Sequence, residues 1–326
     1  MDYSPKILVI GACGQIGTEL TLALRQRYGG EQVVAADLKR ESDLLKGGGP
    51  FLPLDIMDRQ ILQVQVKRHG INTIYLLAAM LSASGEQHPA QAWDLNMKSL
   101  LNTLEVAREE QVKRVFWPSS IAVFGEDAPK KDCPQDACLM PSTVYGISKL
   151  SGEQWCHYYH KRYGLDVRSI RYPGLISYKT LPGGGTTDYA IEIFHAAIRG
   201  ESYTCFLGAN TRLPMMYMDD AVRGTLELME APASKLNVRT AYNLAGISFT
   251  PEELAAEIKK IIPGFTIEYL PDYRQAIADS WPESIGDEPA RRDWGWKPEY
   301  DLQKMTEVMI KHISPELAIS TKRVNG

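Results

Sequence analysis

A glycine-rich turn that follows a short apolar run near the start of the chain most constrains the fold. The run, residues 7–10, reads Ile-Leu-Val-Ile, and the turn reads Gly11-x-x-Gly14-x-x-Gly17. Apolar residues then recur at helical spacing up to residue 24. An apolar strand, a glycine turn and an amphipathic helix in this order are typical of the first unit of a doubly wound α/β sheet.

The same alternation continues along the first half of the chain. Further short apolar runs are separated by helical stretches and lie at residues 33–36, 51–54, 74–77, 114–117 and 167–170. Continuous apolar strands of this kind indicate a parallel sheet that is covered by helices on both faces. We therefore predict a Rossmann doubly wound sheet in residues 1–173 and a smaller C-terminal substrate lobe in residues 174–326, with segments near 210–246 returning to the first domain.

Composition limits the classes of partner. The 326 residues carry a net charge of −4, without a basic block, and no apolar run approaches the roughly 20 residues that span a bilayer. We therefore expect neither nucleic acid nor membrane as a partner. Five scattered cysteines suit a reducing compartment. Cys156, His157 and His160 cluster on one predicted helix but lack a completing ligand, so we expect no metal site.

The N-terminus enters its first strand almost at once, which leaves no room for a signal or transit peptide. We expect a cytoplasmic protein, with the mitochondrial matrix as the alternative if a leader has been removed.

The strand ends carry candidate cofactor contacts, because ligands of such sheets bind beyond the carboxyl ends of the strands. The glycine turn lets the backbone approach a pyrophosphate at a helix N-terminus. Asp37, 20 residues after Gly17, ends the second strand, where a carboxylate takes ribose hydroxyls and repels a 2′-phosphate. This favours NAD over NADP, although Lys39 and Arg40 lie nearby. The expected cofactor contacts are Gly11, Gly14, Gln15, Ile16, Gly17, Asp37, Leu38, Asp55, Ile56, Leu77, Ala78, Ala79, Asn96, Tyr145, Lys149 and Tyr172.

A tyrosine and a lysine one helical turn apart indicate proton transfer. Tyr145 and Lys149 share one face of a predicted helix, and the lysine charge favours the phenolate. With a bound cofactor this should bring the pKa of Tyr145 below its free value of roughly 10. Ser119 and Ser120 end the strand upstream, where a hydroxyl can bond the reacting oxygen. This combination predicts a nicotinamide-dependent enzyme with a tyrosine base.

Several stretches in both halves of the chain resemble the extended short-chain dehydrogenase/reductase superfamily, which contains UDP-galactose 4-epimerase. The closer resemblance is to the short-chain type of L-threonine 3-dehydrogenases. The stretches that carry it are residues 78–86, 117–125, 171–177, 182–189, 213–218, 278–282 and 293–298.

The resemblance implies that NAD oxidises L-threonine at its β-hydroxyl to 2-amino-3-ketobutyrate. Tyr145 would be the base, Lys149 its electrostatic partner, and Ser120 or Ser119 the residue that positions the hydroxyl, with Ser120 the better candidate. The substrate contacts would be Ser82, Ser120, Tyr145, Gly184, Thr186, Thr187 and Trp281, the last as a lid. Arg171 is a candidate partner for the substrate carboxylate or a structural residue.

Two long predicted helices, residues 90–110 and 145–163, resemble the pair that forms the dimer interface of the superfamily. Their aromatic residues suit either an interface or the core: Trp93, Trp155, Tyr158 and Tyr159. We predict a homodimer.

Two other functions stay open. One is a nucleotide-sugar epimerase or dehydratase on the same scaffold. Such enzymes usually carry an arginine just before an aromatic-x-x-Asp segment, whereas residues 213–217 are apolar here and Arg212 is displaced. The other is a NAD-binding regulatory protein without catalysis, which Ser120, Tyr145 and Lys149 disfavour.

Overall fold

The computed structural model describes residues 5–180 and 183–313. Within them the strands are β1 (Ile7–Ile10), β2 (Val33–Asp37), β3 (Phe51–Pro53), β4 (Thr73–Leu76), β5 (Arg114–Phe116), β6 (Ser119–Ser120), β7 (Asp166–Arg168), β8 (Ile170–Tyr172), β9 (Gly174–Ile176), β10 (Tyr203–Cys205), β11 (Leu213–Tyr217), β12 (Tyr242–Asn243), β13 (Ile247–Phe249) and β14 (Ile267–Tyr269). The helices are α1 (Gln15–Tyr28), α2 (Arg59–His69), α3 (Ser82–Gln87), α4 (Pro89–Glu109), α5 (Val144–Tyr163), α6 (Tyr189–Ile198), α7 (Met218–Glu230), α8 (Pro251–Ile261), α9 (Arg274–Asp279), α10 (Glu288–Trp294) and α11 (Leu302–His312).

The central sheet has six parallel strands in the order β3-β2-β1-β4-β5-β7. β1 pairs with β2 on one side and with β4 on the other, so Ile7 lies between Val33 and Thr73. The chain reverses its direction of winding between β1 and β4, which opens a crevice at their carboxyl ends. This arrangement confirms the predicted α/β class with a Rossmann doubly wound sheet.

Two apolar cores cover the faces of this sheet. Alternate residues of β1 point to opposite faces, so Val9 enters one core and Leu8 the other. The first core is completed by α1 and α7, and the second by α2, α4 and α5. Helices on both faces explain why the strands read as continuous apolar runs.

A third core lies in the later part of the chain and joins α6, α8 and α11 to β9, β11 and β13. β9, β11 and β13 form one small sheet, and β6, β8 and β12 form another. Met216, Met218, Leu228 and Leu244 pack into the core that covers the central sheet. The later chain therefore contributes to the third core and also to one of the two cores that cover the central sheet. The domain boundary at residue 173 stays a prediction.

Three further findings concern the described residues. No helix within residues 5–180 and 183–313 is long and apolar enough to cross a membrane. The same residues contain no group of three or more His, Cys, Asp or Glu side chains that could hold a metal ion. The cysteines at 13, 133, 138, 156 and 205 are all free thiols. The compartment stays a prediction.

Candidate active site

The glycine turn between β1 and α1 is packed tightly at two of its three glycines. Gly11 has a φ of +85°, and a Cβ on it would lie 2.6 Å from the amide nitrogen of Ala78. A Cβ on Gly17 would lie 2.0 Å from the carbonyl oxygen of Gly11. At Gly14, by contrast, the nearest atom is 3.3 Å away, on Gly11. The protein itself therefore requires glycine at 11 and 17, whereas a Cβ on Gly14 would meet only one atom, at a distance that a small adjustment can relieve.

The N-terminus of α1 suits a pyrophosphate. Gly14 is the N-cap residue of α1, whose first turn carries no acidic side chain. The positive end of the helix dipole therefore has no acidic side chain of its own first turn to compete with a bound phosphate. The side-chain nitrogen of Gln15 is buried and has no hydrogen-bond partner within the described residues. A helix N-terminus with an unused amide donor is what a dinucleotide phosphate needs, and Ile16 packs at the edge of the adjoining core.

Asp37 links the turn to the end of β2. Its carboxylate accepts hydrogen bonds from the backbone amides of Cys13 at 2.8 Å and Lys39 at 2.9 Å. These bonds fix the carboxylate beside the glycine turn, where it can take ribose hydroxyls. The next residue, Leu38, is 75% exposed, so one face of its side chain is available to contact a ligand.

The two residues predicted to contact the cofactor at the end of β3 differ in exposure. Asp55 is exposed, and its carboxylate accepts the amide of Met57 at 2.9 Å. Ile56 is buried in the core, and its carbonyl accepts a hydrogen bond from the Asn102 side chain. Asp55 therefore remains available to a ligand, whereas the Ile56 side chain is committed to the core.

The segment after β4 lies directly against the glycine turn. The amide of Leu77 donates to the carbonyl of Ile10 at 2.8 Å. Ala78 and Ala79 are half-buried. The side chain of Asn96 holds this segment by pairing with both backbone groups of Met80, at 2.8 and 3.1 Å. Asn96 thus shapes the loop, and its own polar atoms are already used.

The start of α5 determines where Tyr145 lies. The Thr143 hydroxyl accepts the amide of Gly146 at 3.1 Å, and Glu86 accepts the amide of Val144 at 2.7 Å. A Cβ on Gly146 would lie 2.1 Å from the carbonyl oxygen of Ala122. The hydrogen bonds to Thr143 and Glu86 fix the first turn of α5. Gly146 lets this turn pack closely against the turn that follows β6.

Tyr145 and Lys149 lie together on α5, as predicted. The Lys149 ammonium is 5.4 Å from the centre of the Tyr145 ring, 4.5 Å from that of Trp117, and donates to the carbonyl of Pro118 at 2.6 Å. Burial raises the pKa of Tyr145 to about 12, and the hydrogen bond with Ser120 lowers it in part. Burial lowers the pKa of Lys149 to about 7 against the opposing charges of Cys156 and Glu153. In the protein alone, the pKa of Tyr145 therefore moves opposite to the expected direction.

The two candidate serines face different ways. The Ser120 side chain accepts the amide of Ala122 at 3.2 Å and contacts Tyr145. The Ser119 side chain is buried and donates to Glu153 at 2.6 Å. Successive residues of a strand point to opposite faces, so the two hydroxyls cannot both reach the site. The structure brings Ser120 and not Ser119 to Tyr145.

The predicted substrate residues at the start of α3 and after β9 meet. The hydroxyls of Ser82 and Thr186 lie 3.1 Å apart, and both residues are buried. The amides of Gly184 and Gly185 donate to the same oxygen of Asp188, at 2.8 and 2.7 Å. Leu181 and Pro182, which open this glycine loop in the sequence, lie outside the described residues.

Other predicted contacts are core residues. Trp281 is only 5% exposed and packs in the core of the later chain, and its role as a lid over the substrate stays a prediction. The Tyr172 hydroxyl pairs with Thr225 inside the core, which leaves only its main chain for a nicotinamide contact. Thr187 is half-buried beside Gly174.

Three functional candidates, Asp188, Glu153 and Trp117, escaped the sequence reasoning, whereas Arg171 was among its candidates. Asp188 shapes the glycine loop, and an aspartate three or four residues after a glycine pair is a recognisable turn signal. Glu153 lies four residues after Lys149, which the helix periodicity could have indicated. Arg171 gives two hydrogen bonds to Glu153, at 2.8 Å each, so it is structural rather than a substrate partner. Trp117 beneath Lys149 had no sequence signal.

The comparisons with known proteins agree with this geometry. Residues 7–245 match the NAD dependent epimerase/dehydratase family. An uncharacterized epimerase/dehydratase of Staphylococcus haemolyticus is 48% identical over 310 residues, which cover 94% of this chain and 97% of that protein.

Solved structures of L-threonine 3-dehydrogenases are similar over nearly the whole chain. The holo form of the GalE-like enzyme from Cupriavidus necator is 57% identical, has a TM-score of 0.93, and covers 95% of this chain and 100% of its own. A monomeric enzyme from a metagenome is 51% identical, with a TM-score of 0.91 and coverage of 96% and 99%. The chain therefore belongs to the NAD dependent epimerase/dehydratase family, within the extended short-chain dehydrogenases/reductases.

Proposed function

We propose that this protein oxidises L-threonine at the β-hydroxyl to 2-amino-3-ketobutyrate with NAD. The observation that carries the proposal is the meeting of Ser120, Tyr145 and Lys149 beside the dinucleotide turn. The high identity to L-threonine 3-dehydrogenases over both halves of the chain supports the choice of substrate.

The protein residues act on the hydroxyl proton. Ser120 holds the substrate oxygen by a hydrogen bond while the Tyr145 oxygen takes the proton from the β-hydroxyl. Lys149 stabilises the phenolate that must exist before this step. When bound, NAD accepts the hydride from the β-carbon, so that the carbonyl product, NADH and one proton balance the reaction.

The cofactor would be held by the residues around the turn. Gly14 and the N-terminus of α1 would carry the pyrophosphate, Asp37 the adenosine ribose, and Lys149 the nicotinamide ribose. The side chain at 37 is a carboxylate that would repel a 2′-phosphate, so NAD rather than NADP is the proposed cofactor.

The substrate side suits a small zwitterion. Buried Ser82 and Thr186 supply hydroxyls that lie 3.1 Å apart, whereas the amides of Gly184 and Gly185 already donate to Asp188. A water-excluded site must bond both the carboxylate and the ammonium of threonine, and a hydroxyl can donate to the first and accept from the second.

A sugar nucleotide is less well served. β11 is buried along its whole length, so its side chains offer no charge to a diphosphate. Arg212 is engaged with Glu253 and donates to the carbonyl of Ser248 at 2.9 Å. β11 therefore lacks the arginine that the sugar-nucleotide enzymes use. The neighbouring Arg212 is already engaged with Glu253 and Ser248.

The direct test is NADH formation from NAD at mildly alkaline pH, with L-threonine compared against UDP-glucose and UDP-galactose. We expect absorbance growth with L-threonine alone. No reaction with threonine, together with interconversion of the two UDP-sugars, would reject the proposal in favour of an epimerase.

Tyr145→Phe tests the base. Because it removes the proton acceptor and keeps the ring, we expect a loss of kcat of roughly a thousandfold. NAD binding, measured by calorimetry, should change little. Activity within about tenfold of the unaltered protein would refute the assignment of Tyr145.

The proposed assembly is a homodimer through α4 and α5. Trp93 is 40%, Trp155 39% and Tyr158 47% exposed, so these aromatic side chains are free for a partner subunit, whereas Tyr159 is buried. The relative that is described as monomeric makes the alternative concrete. Sedimentation as a single 36.5 kDa species would reject the dimer.

A further inference from the structure

A buried carboxylate, Glu153, lies one helical turn after Lys149 in α5. Its side chain is 0% exposed and forms an ion pair with Arg171, which is 3% exposed. The Ser119 hydroxyl donates to the same carboxylate at 2.6 Å. Glu153 therefore joins α5, which carries Tyr145, to the neighbouring strands β6, which carries Ser120, and β8.

Arg171 extends this contact further. Its guanidinium also donates to the carbonyl of Gln135 at 2.9 Å and to the Asn243 side chain at 3.1 Å. The Asn243 amide in turn donates to the carbonyl of Gly286 at 3.0 Å. We call these residues, Ser119, Glu153, Arg171, Gln135, Asn243 and Gly286, the buried polar network. It runs beneath the site and ends in the segment that follows Trp281.

The charge of Glu153 bears on the protonation of Lys149 and, through it, on that of Tyr145. Among the described residues, the ionisable groups that act on Lys149 are Glu153 and Cys156. Burial raises the pKa of the Cys156 thiol, so that thiol is neutral. Arg171 pairs with Glu153 and offsets part of its charge, but it is not among the groups that act on Lys149. The carboxylate is therefore the negative charge nearest to Lys149.

Position along the helix decides the sign of the effect. Glu153 is one turn from Lys149 and two turns from Tyr145, so its field favours the ammonium more than it opposes the phenolate. Burial acts the other way, because it favours neutral lysine and neutral phenol. The carboxylate thus favours a protonated Lys149 beside a deprotonated Tyr145. These are the protonation states that a tyrosine base requires.

We propose that Glu153 is a positioning residue that keeps Lys149 charged and Tyr145 ready to accept a proton, and that Arg171 and Ser119 hold it in place for this task. The inference rests on the proposed function only for the identity of the reaction.

The test is Glu153→Gln, which keeps the shape and an acceptor oxygen for Ser119 and removes the charge. The ionisation of Tyr145 is followed by ultraviolet absorbance with saturating NAD, as the difference from the same protein carrying Tyr145→Phe. We expect the titration, and the rising limb of kcat against pH with L-threonine, to move to higher pH by roughly one pH unit. KM for L-threonine should change by less than about threefold, because Glu153 does not touch the substrate.

Asp166→Asn is the matched control. Asp166 pairs with Arg168 at 2.7 Å and Arg239 at 2.9 Å, at the start of β7 and so at the opposite end of the sheet from the site. Asp166→Asn removes a carboxylate that pairs with arginine, just as Glu153→Gln does. Both variants should lose thermal stability, but we expect no shift of the Tyr145 titration in Asp166→Asn.

A second variant keeps the inference testable if Glu153→Gln alone does not fold. Glu153→Gln combined with Arg171→Gln removes both charges and leaves no unpaired guanidinium, and the alkaline shift should persist in it. The inference is overturned if either Glu153 variant titrates like Asp166→Asn while threonine is still oxidised. If threonine is not oxidised but the titration shifts as expected, the inference stands and the proposed function fails.

Discussion

Gly146→Ala should uncouple the catalytic tyrosine from its serine. An added Cβ at this position would lie 2.1 Å from the carbonyl oxygen of Ala122 and 2.7 Å from the Cβ of Pro141. Both neighbours belong to the turns that seat the start of α5. Neither can move freely, because Ala122 follows Ser120 and is itself buried. The helix must therefore shift away from the turn.

The size of the shift follows from the contact distance. Relieving a 2.1 Å approach to an ordinary contact of 3.4 Å requires a displacement of more than about 1 Å. A misplacement of about 1 Å at a reacting group costs on the order of a hundredfold in rate. Alanine is the better helix former by about 1 kcal/mol, so helix propensity opposes any destabilisation. We therefore expect kcat to fall by about a hundredfold, with a small change in thermal stability.

The assay is threonine-dependent NADH formation, with NAD affinity measured separately by calorimetry. Gly264→Ala is the matched control, because no atom of the described residues lies within 4 Å of the added Cβ and the residue is far from α5 along the chain. The control should keep its activity within about twofold. Wild-type kcat in Gly146→Ala would refute the argument that the contact with Ala122 positions Tyr145.

Three further variants probe the rest of the site. Gly14→Ala should still fold, because its Cβ would meet only the carbonyl oxygen of Gly11, at 3.3 Å, but should weaken NAD binding at least about tenfold in calorimetry, since the Cβ would lie where the pyrophosphate approaches; unchanged affinity would contradict the proposed pyrophosphate site. Trp281→Ala should lower the free energy of unfolding by about 3–5 kcal/mol in denaturant titration, because Trp281 is a buried core side chain, and an unchanged free energy of unfolding would contradict its place in the core. Burial raises the pKa of Asp188 to about 6, so the folded protein binds a proton there that the unfolded chain releases; the stability contribution of Asp188 is therefore present at low pH and is lost as pH rises through about 6. Asp188→Asn keeps an acceptor for the glycine amides and should remove this component from the pH dependence of Tm, and an identical pH profile would count against it.

The fold and the outline of the cofactor site could be predicted because both depend on local rules. A glycine that must adopt a positive φ, such as Gly11, leaves a mark in the sequence, and an aspartate that ends a strand, such as Asp37, lies at a known edge of a parallel sheet. The i, i+4 spacing also sets Tyr145 beside Lys149 wherever the helix packs.

Side-chain direction could not be predicted in the same way. Ser119 and Ser120 are adjacent and chemically alike, and the face that each takes depends on how β6 pairs with β8 and which side α5 covers. The same holds for Tyr172 and Trp281, whose rings enter cores that are built from distant parts of the chain. Local sequence carries no information about those partners.

The direction of the Tyr145 pKa was also beyond the sequence. The spacing to Lys149 gives the charge term, which favours the phenolate. Burial of both groups opposes it, and burial is a property of the folded chain. The reacting proton is therefore governed by the balance of a local term and a global one.

The buried polar network also has a consequence for how the chain folds. Its links span large sequence separations: 34 residues from Ser119 to Glu153, 72 from Arg171 to Asn243, and 43 from Asn243 to Gly286. Contacts of this range close late, since each must first overcome the entropy of a long loop. On the ribosome, the central sheet can pair as soon as its last strand emerges, but Arg171 finds its last partner only after Asn243 has been made, and Asn243 finds its own only after Gly286 has been made. We expect the dinucleotide turn to form well before the proton-transfer residues reach their working geometry.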